Sequence, residues 1–178
     1  SKSARQKQAT WALWIKIVIA CIPAAVLGLL FDDWMEAHLY NAYIVAATLI
    51  IYGVLFIALE NSSITANPSI TKVGHVSTKT ALFIGLFQLL SLVPGTSRSG
   101  STILGAMVLG CSRGVAAEFS FFLGIPVMFG ASFLKLVKFF VKGNVLTGPQ
   151  IFYTILGMAI AFGVSVYSIQ FLMGYVRR

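Results

Sequence analysis

The chain has 178 residues, of which 58% are hydrophobic and only 10% charged, against roughly 25% charged in a soluble globular protein. Together with a mean hydropathy of +0.89, this composition excludes a soluble domain, a disordered chain and a disulfide scaffold. The net charge of +8, from 13 Lys and Arg against 5 Asp and Glu, points to membrane orientation and not to nucleic acid, because the basic residues sit mostly at the ends of apolar runs.

Hydropathy predicts an all-α polytopic integral membrane protein, a single transmembrane domain over residues 1–178 with a re-entrant helix–loop–helix hairpin at 80–111. Residues 1–10 are polar and basic, and 12–31 form the first long apolar run, in which Lys16 can snorkel and Pro23 predicts a kink. Residues 32–40 read as an acidic loop holding Asp32, Asp33, Glu36 and His38, and 41–59 as an uncharged second pass. A polar connector with Lys72, His75 and Lys79 fills 60–79, and both histidines read as solvated surface residues. Two later stretches are long enough to cross: 114–134, and 149–176 with small residues spaced for helix packing at Gly157, Ala159, Ala161 and Gly163. Cys21 and Cys111 lie in apolar stretches, match no metal spacing and read as packing residues.

The stretch 80–111 differs from these passes. Residues 80–93 and 101–111 are apolar, but as helices they reach only roughly 21 and 16 Å, short of the ~30 Å hydrocarbon core. Pro94 to Gly100 joins them, which predicts a hairpin that enters, turns near mid-depth and leaves on the same side. The charges agree with this reading. With the N-terminus cytoplasmic, a hairpin keeps Lys72, Lys79, Arg113 and the terminal Arg177 and Arg178 inside, although Lys135, Lys138 and Lys142 then approach the outer face.

The loop itself, PGTSRSGST at 94–102, carries the hydroxyls of Thr96, Ser97, Ser99, Ser101 and Thr102, the guanidinium of Arg98 and no carboxylate. Donors with a fixed positive charge suit an anion, so no residue here is assigned to a metal. Pro94 and Gly95 end the first half-helix, and Ser99 or Ser101 can cap the second. Free N–H groups near Gly100 to Ile103 then make a phosphate site at a helix N-terminus, and the Arg fork matches two phosphate oxygens. Two plainer readings stay open: Arg98 paired with Glu118, and Ser97 and Ser99 as turn residues or caps. Gln88 either faces the cavity or bonds to a neighbouring helix.

PGTSRSGSTILGAMVLG (94–110), followed by SRGVAAEFSFFLGIP (112–126), resembles the bacterial undecaprenyl-diphosphate phosphatase family, linked to bacitracin resistance. The match to Pro-Gly-x-Ser-Arg-Ser-Gly-x-Thr is specific, and its strong content lies within 88–130. The resemblance implies an inner-membrane enzyme that hydrolyses undecaprenyl diphosphate to undecaprenyl phosphate and inorganic phosphate, recycling the lipid carrier for cell-wall synthesis. It implies paired re-entrant hairpins as an inverted repeat, a site open to the periplasm, and a divalent cation (Mg or Ca). It assigns catalysis to Arg98 and Ser97, and substrate binding to Gly95, Thr96, Ser99, Gly100, Ser101 and Thr102.

The family's other motif, a Glu-x-x-x-Glu pair with a Pro-x-Ser-Ser-x-x-His loop, does not occur in this sequence. Nor does its final helix. The expected nucleophile or base and the metal ligands therefore lie elsewhere, in a missing first half of the same protein or in a homo-oligomer. The opening Ser1-Lys2-Ser3 instead of Met fits such a piece. The competing readings are a transporter or flippase for an anionic lipid or phosphate, which also uses re-entrant hairpins, and a non-catalytic membrane scaffold.

Overall fold

A computed structural model describes residues 4–62 and 67–176. Six α-helices account for most of them: α1 (Ala4–Leu39), α2 (Ala42–Glu60), α3 (Thr78–Gln88), α4 (Arg98–Val108), α5 (Arg113–Val141) and α6 (Gly148–Val176). Segments of four of these, Lys7–Phe31, Ala42–Leu59, Arg113–Val141 and Gly148–Phe171, are long and apolar enough to cross a bilayer. The protein is an all-α, multi-pass membrane protein.

Residues 32–39, read from sequence as loop, are helical. No Gly or Pro interrupts them, and Trp34 and His38, four residues apart on one face, stack with ring centroids 4.9 Å apart. His38 Nδ1 also lies 2.9 Å from the Trp34 carbonyl. The helix passes through Pro23 as well.

The chain divides into two compact units, Ser1–Ser132 and Phe133–Arg178. In the first, the core is formed by Ile17 and Ala20 of α1, Val76, Ala81 and Ile84 of the connector and α3, Ala106 and Met107 of α4, and Val115, Ala116, Phe119 and Leu123 of α5. The short helices α3 and α4 are thus in the middle of the unit. α3 starts on Ser77, whose side chain accepts from Thr80 N at 3.0 Å, and ends by tightening into a 3-10 turn at Leu89–Leu92. Its buried face, Ala81, Ile84, Gly85 and Gln88, has helical spacing.

α4 ends in a Schellman motif: Cys111 N donates to Ala106 O at 2.9 Å and Gly110 N to Met107 O at 3.0 Å, with Gly110 at φ +88°. The same Gly110 carbonyl accepts from Ile70 N at 2.9 Å, and Ser112 N donates to Ile70 O at 2.8 Å. The chain entering α3 and the chain leaving α4 are therefore tied together. Phe87 of α3 and Gly105 of α4 touch so closely that a Cβ on Gly105 would lie 2.6 Å from Phe87 Cβ. Cys111 is buried and Cys21 partly buried, both as free thiols.

The second unit holds the end of α5, a turn at Gly143 with φ +77°, and α6. Thr147 N donates to Gln150 Oε1 at 3.0 Å in the first turn of α6. Among the described residues, nothing lies within 4 Å of a Cβ placed on Gly157 or Gly163 of the small-residue stripe.

α1 and α3 meet at Gly85, where an added Cβ would collide with the Ala20 carbonyl oxygen and lie 2.9 Å from Ala20 Cα. Gly85→Ala is expected to force these helices apart at a cost of about 1–3 kcal/mol, while Gly53→Ala, with nothing within 4 Å, is expected to be neutral or stabilising. Thermal unfolding in detergent reads both. Equal midpoints for the two variants would show that α1 and α3 do not touch at Gly85.

Candidate functional site

Residues 93–97 form the turn between the 3-10 segment and α4. The first helix is wound down by Ser91 Oγ donating to Gln88 O at 2.6 Å, then by Val93 N to Leu90 O and Thr96 N to Val93 O, each at 3.2 Å. Gly95 reverses the chain with φ +86°, a conformation open to glycine and strained for other residues. A Cβ there would also strike Thr48 Oγ1 and sit 2.7 Å from the Val45 carbonyl.

Sequence reading puts the cap of the second helix at Ser99 or Ser101; the structure puts it at Ser97. Ser97 is extended (φ −65°, ψ 122°) and its Oγ accepts from Gly100 N at 3.2 Å, while its carbonyl accepts from Ser101 N at 2.9 Å. Because Gly95 has already reversed the chain, the helix can begin at Arg98. Helix geometry then leaves the N–H groups of Arg98 and Ser99 without an intrahelical acceptor. The open donors therefore lie before Gly100, not between Gly100 and Ile103 as the sequence suggests.

The residues singled out from sequence separate into front and back. Ser97 is exposed, Arg98 and Ser99 are partly buried, and the Ser97 and Ser99 hydroxyls are 3.3 Å apart. Gly95 and Thr96 are partly buried in the turn. Gly100, Ser101 and Thr102 are buried behind it. The Ser101 hydroxyl donates to Ser97 O at 3.0 Å, and Thr102 Oγ1 lies 2.6 Å from Ser120 Oγ on α5. Ser101 and Thr102 thus hold the turn against its supports, and Ser97, Arg98 and Ser99 present it.

Arg98 reaches across to α5. Its Nη2 is 4.0 Å from Met128 Sδ, a weak acceptor. A Cβ on Gly124 would lie 2.6 Å from Nη2 and 2.9 Å from Nη1, so the guanidinium occupies the space left by that glycine. No ion pair joins Arg98 to Glu118, which is exposed. Among the described residues, four buried side-chain polar atoms lack a hydrogen-bond partner: Gln88 Nε2 and Oε1, Thr96 Oγ1 and Arg98 Nη1. All belong to residues 88–98, although buried polar groups are normally satisfied. Gln88 is 1% exposed and makes no side-chain bond to a neighbouring helix.

The turn therefore offers hydroxyls, helix N-terminal amides and a partly buried guanidinium with no counter-ion among the described residues, a set complementary to a phosphate-like anion. It does not fit a divalent cation, which takes carboxylate and carbonyl oxygens. No group of three or more His, Cys, Asp or Glu among the described residues could hold a metal ion. Sequence reading missed Gly124, Ser120 and Thr48. A glycine inside a long helix costs about 1 kcal/mol relative to alanine, so Gly124 was a legible signal of close packing. A lone hydroxyl in an apolar pass was a weaker signal for Thr48.

The chain matches the family described as bacitracin resistance protein BacA over residues 1–178. It is 55% identical over 177 residues to an undecaprenyl-diphosphatase of Streptococcus thermophilus, covering 99% of this chain and 62% of that protein. It is 54% identical over 176 residues to one of Streptococcus mutans, with 99% and 63% covered. A third, from Enterococcus faecalis, is 51% identical over 177 residues, with 99% and 64% covered. The chain thus spans less than two thirds of the length of these curated relatives.

Ser97 is the acceptor that caps the helix, and its hydroxyl also stands exposed at the front of the turn. Ser97→Ala is expected to lose the cap and about 1 kcal/mol of stability. Ser97→Asp keeps an acceptor for Gly100 N but brings a carboxylate to the front of the turn. It should unfold near the wild-type midpoint while binding inorganic pyrophosphate at least tenfold more weakly, roughly the 1.4 kcal/mol scale of a charge contact. Undiminished pyrophosphate binding by Ser97→Asp would remove the front of the turn from anion recognition.

Proposed function

The chain belongs to the bacitracin resistance protein BacA family, and from that premise we propose that it forms the phosphate-binding part of an undecaprenyl-diphosphate phosphatase. The observation that carries this reading is Arg98 Nη1, buried and without a partner at the start of a helix capped by Ser97. A guanidinium held in apolar surroundings without a carboxylate attracts an anion far more strongly than one in water.

In this reading Arg98 grips the diphosphate and stabilises the charge that grows on its oxygens as the anhydride opens. Ser97 and Ser99 donate from either side of it, joined by the open amides of Arg98 and Ser99. Gly95 makes the turn, Thr96 offers an unpartnered hydroxyl, and Gly100, Ser101 and Thr102 form the backing. The bridging P–O bond breaks with the elements of one water added across it, and inorganic phosphate and undecaprenyl phosphate leave. The turn contains no carboxylate or imidazole to draw a proton from that water. We assign the nucleophile or base to the remainder of the protein or to a second copy. A magnesium or calcium ion belongs there too, since the ligands of this turn do not suit it.

Two observations support a re-entrant placement of 80–111. The helices α3 and α4 have 11 residues each, about 16 Å apiece and too short to cross. The chain before the first and after the second is bonded together through Ile70 and Gly110, which suits entry and exit on one side. With that placement we orient the N-terminus to the cytoplasm of a bacterial inner membrane and the site to the periplasm. Arg177 and Arg178, which enter the charge argument, lie outside the described residues.

Arg98→Ala in the full-length protein is expected to lower phosphate release from a long-chain isoprenyl diphosphate at least about 100-fold. Arg98→Lys should be severely impaired too, because a point charge cannot replace the fork. Phosphate release is measured in detergent. Wild-type turnover by Arg98→Ala would take Arg98 out of the reaction. Movement of intact lipid diphosphate between vesicle leaflets with no phosphate released would replace the phosphatase by a transporter.

A further inference from the structure

The helix α2 is largely exposed along its length, yet three of its residues are pressed against the turn and the first turn of α4. Thr48 Oγ1 and the Val45 carbonyl bear on Gly95, and Phe56 Cε2 is 3.2 Å from where a Cβ on Gly100 would stand. Thr48 also donates to the Pro94 carbonyl at 2.8 Å, a bond across 46 residues of sequence.

The same hydroxyl lies 2.9 Å from the Ile44 carbonyl and 3.0 Å from the Val45 carbonyl. A hydroxyl carries one proton, so these contacts are alternatives. Threonines in apolar helices commonly bond back to the preceding turn, and the Ile44 and Val45 contacts need no other account. Pro94 does need one. Its carbonyl belongs to an irregular backbone within an apolar chain, where an unpaired polar group is costly, and it immediately precedes the left-handed Gly95.

We infer that Thr48 is a positioning residue for the anion turn. Its hydroxyl fastens the Pro94 carbonyl to α2, seats Gly95 on the Val45–Thr48 face, and so sets where Ser97 and Arg98, two and three residues beyond Gly95, present themselves. The consequence for catalysis rests on the phosphatase reading; the fastening itself does not.

Thr48→Val keeps the shape of the side chain and removes the proton, whereas Thr48→Ser keeps the proton and removes the methyl. In the full-length protein, Thr48→Val is expected to speed hydrogen exchange of the amides in 93–100 by up to roughly tenfold, the equilibrium weight of one hydrogen bond. Amides of α3 and α5 should exchange as in wild type. The same variant should lower kcat/KM for a long-chain isoprenyl diphosphate roughly tenfold through misplacement, mostly in kcat, and Thr48→Ser should restore both readouts. If Thr48→Val does not assemble, Thr48→Ala is read by the same exchange measurement. Wild-type exchange in the turn of either hydroxyl-free variant overturns the inference, as does a Thr48→Ser protein as loose as Thr48→Val. Faster exchange restored by serine, in a protein that releases no phosphate even as wild type, supports the fastening and removes the phosphatase reading instead.

Discussion

An irregular turn among apolar helices depends on local bonds for its backbone, because an unpaired polar group in apolar surroundings is costly. Ser97 takes up the Gly100 amide, Thr96 N bonds to Val93 O, and Thr48 takes up the Pro94 carbonyl. At the far end, the Schellman bonds of Gly110 and Cys111 close α4. Among the described residues, the buried side-chain polar atoms left without partners belong to Gln88, Thr96 and Arg98. A buried guanidinium atom with no partner is costly in a stable fold, and it is the feature an incoming anion would relieve.

Close approach is what holds that guanidinium in place. Gly85 lets α3 lie on the backbone of α1 at Ala20, Gly105 lets α4 lie on Phe87, and Gly124 leaves the space that Arg98 fills on α5. The Thr102–Ser120 bond then ties α4 to α5 one turn beyond Arg98. The cationic side chain therefore sits between packed helices, an arrangement suited to the charge stabilisation proposed for it.

Division of labour follows from composition. The turn supplies donors and positive charge and lacks any group that could activate water. A phosphatase built on it needs a second set of residues facing it, and this chain covers 62% of a relative such as the Streptococcus thermophilus undecaprenyl-diphosphatase. The apolar sides of α2 and α6 remain exposed among the described residues, as suits helices in contact with lipid or with further helices.

Much of this protein was legible in sequence. The membrane class, the long passes and the two short helices around 94–100 follow from run length and charge, since the thickness of a bilayer is fixed and helical rise is constant. The donor chemistry of PGTSRSGST needed only the residue types. The end of α1 was misread because acidic residues suggest solvent, while helix continuation depends on local bonds and on stacking such as Trp34 on His38. The cap was misplaced by two residues or more because several serines in TSRSGS can serve, and only the position of Gly95 against α2 selects Ser97. Which hydroxyls face forward, the seat of Arg98 beside Gly124 and the hold of Thr48 on Pro94 were decided by tertiary structure alone. Each joins residues far apart in the chain, and their contact depends on how closely the helices pack, which residue type and spacing do not encode.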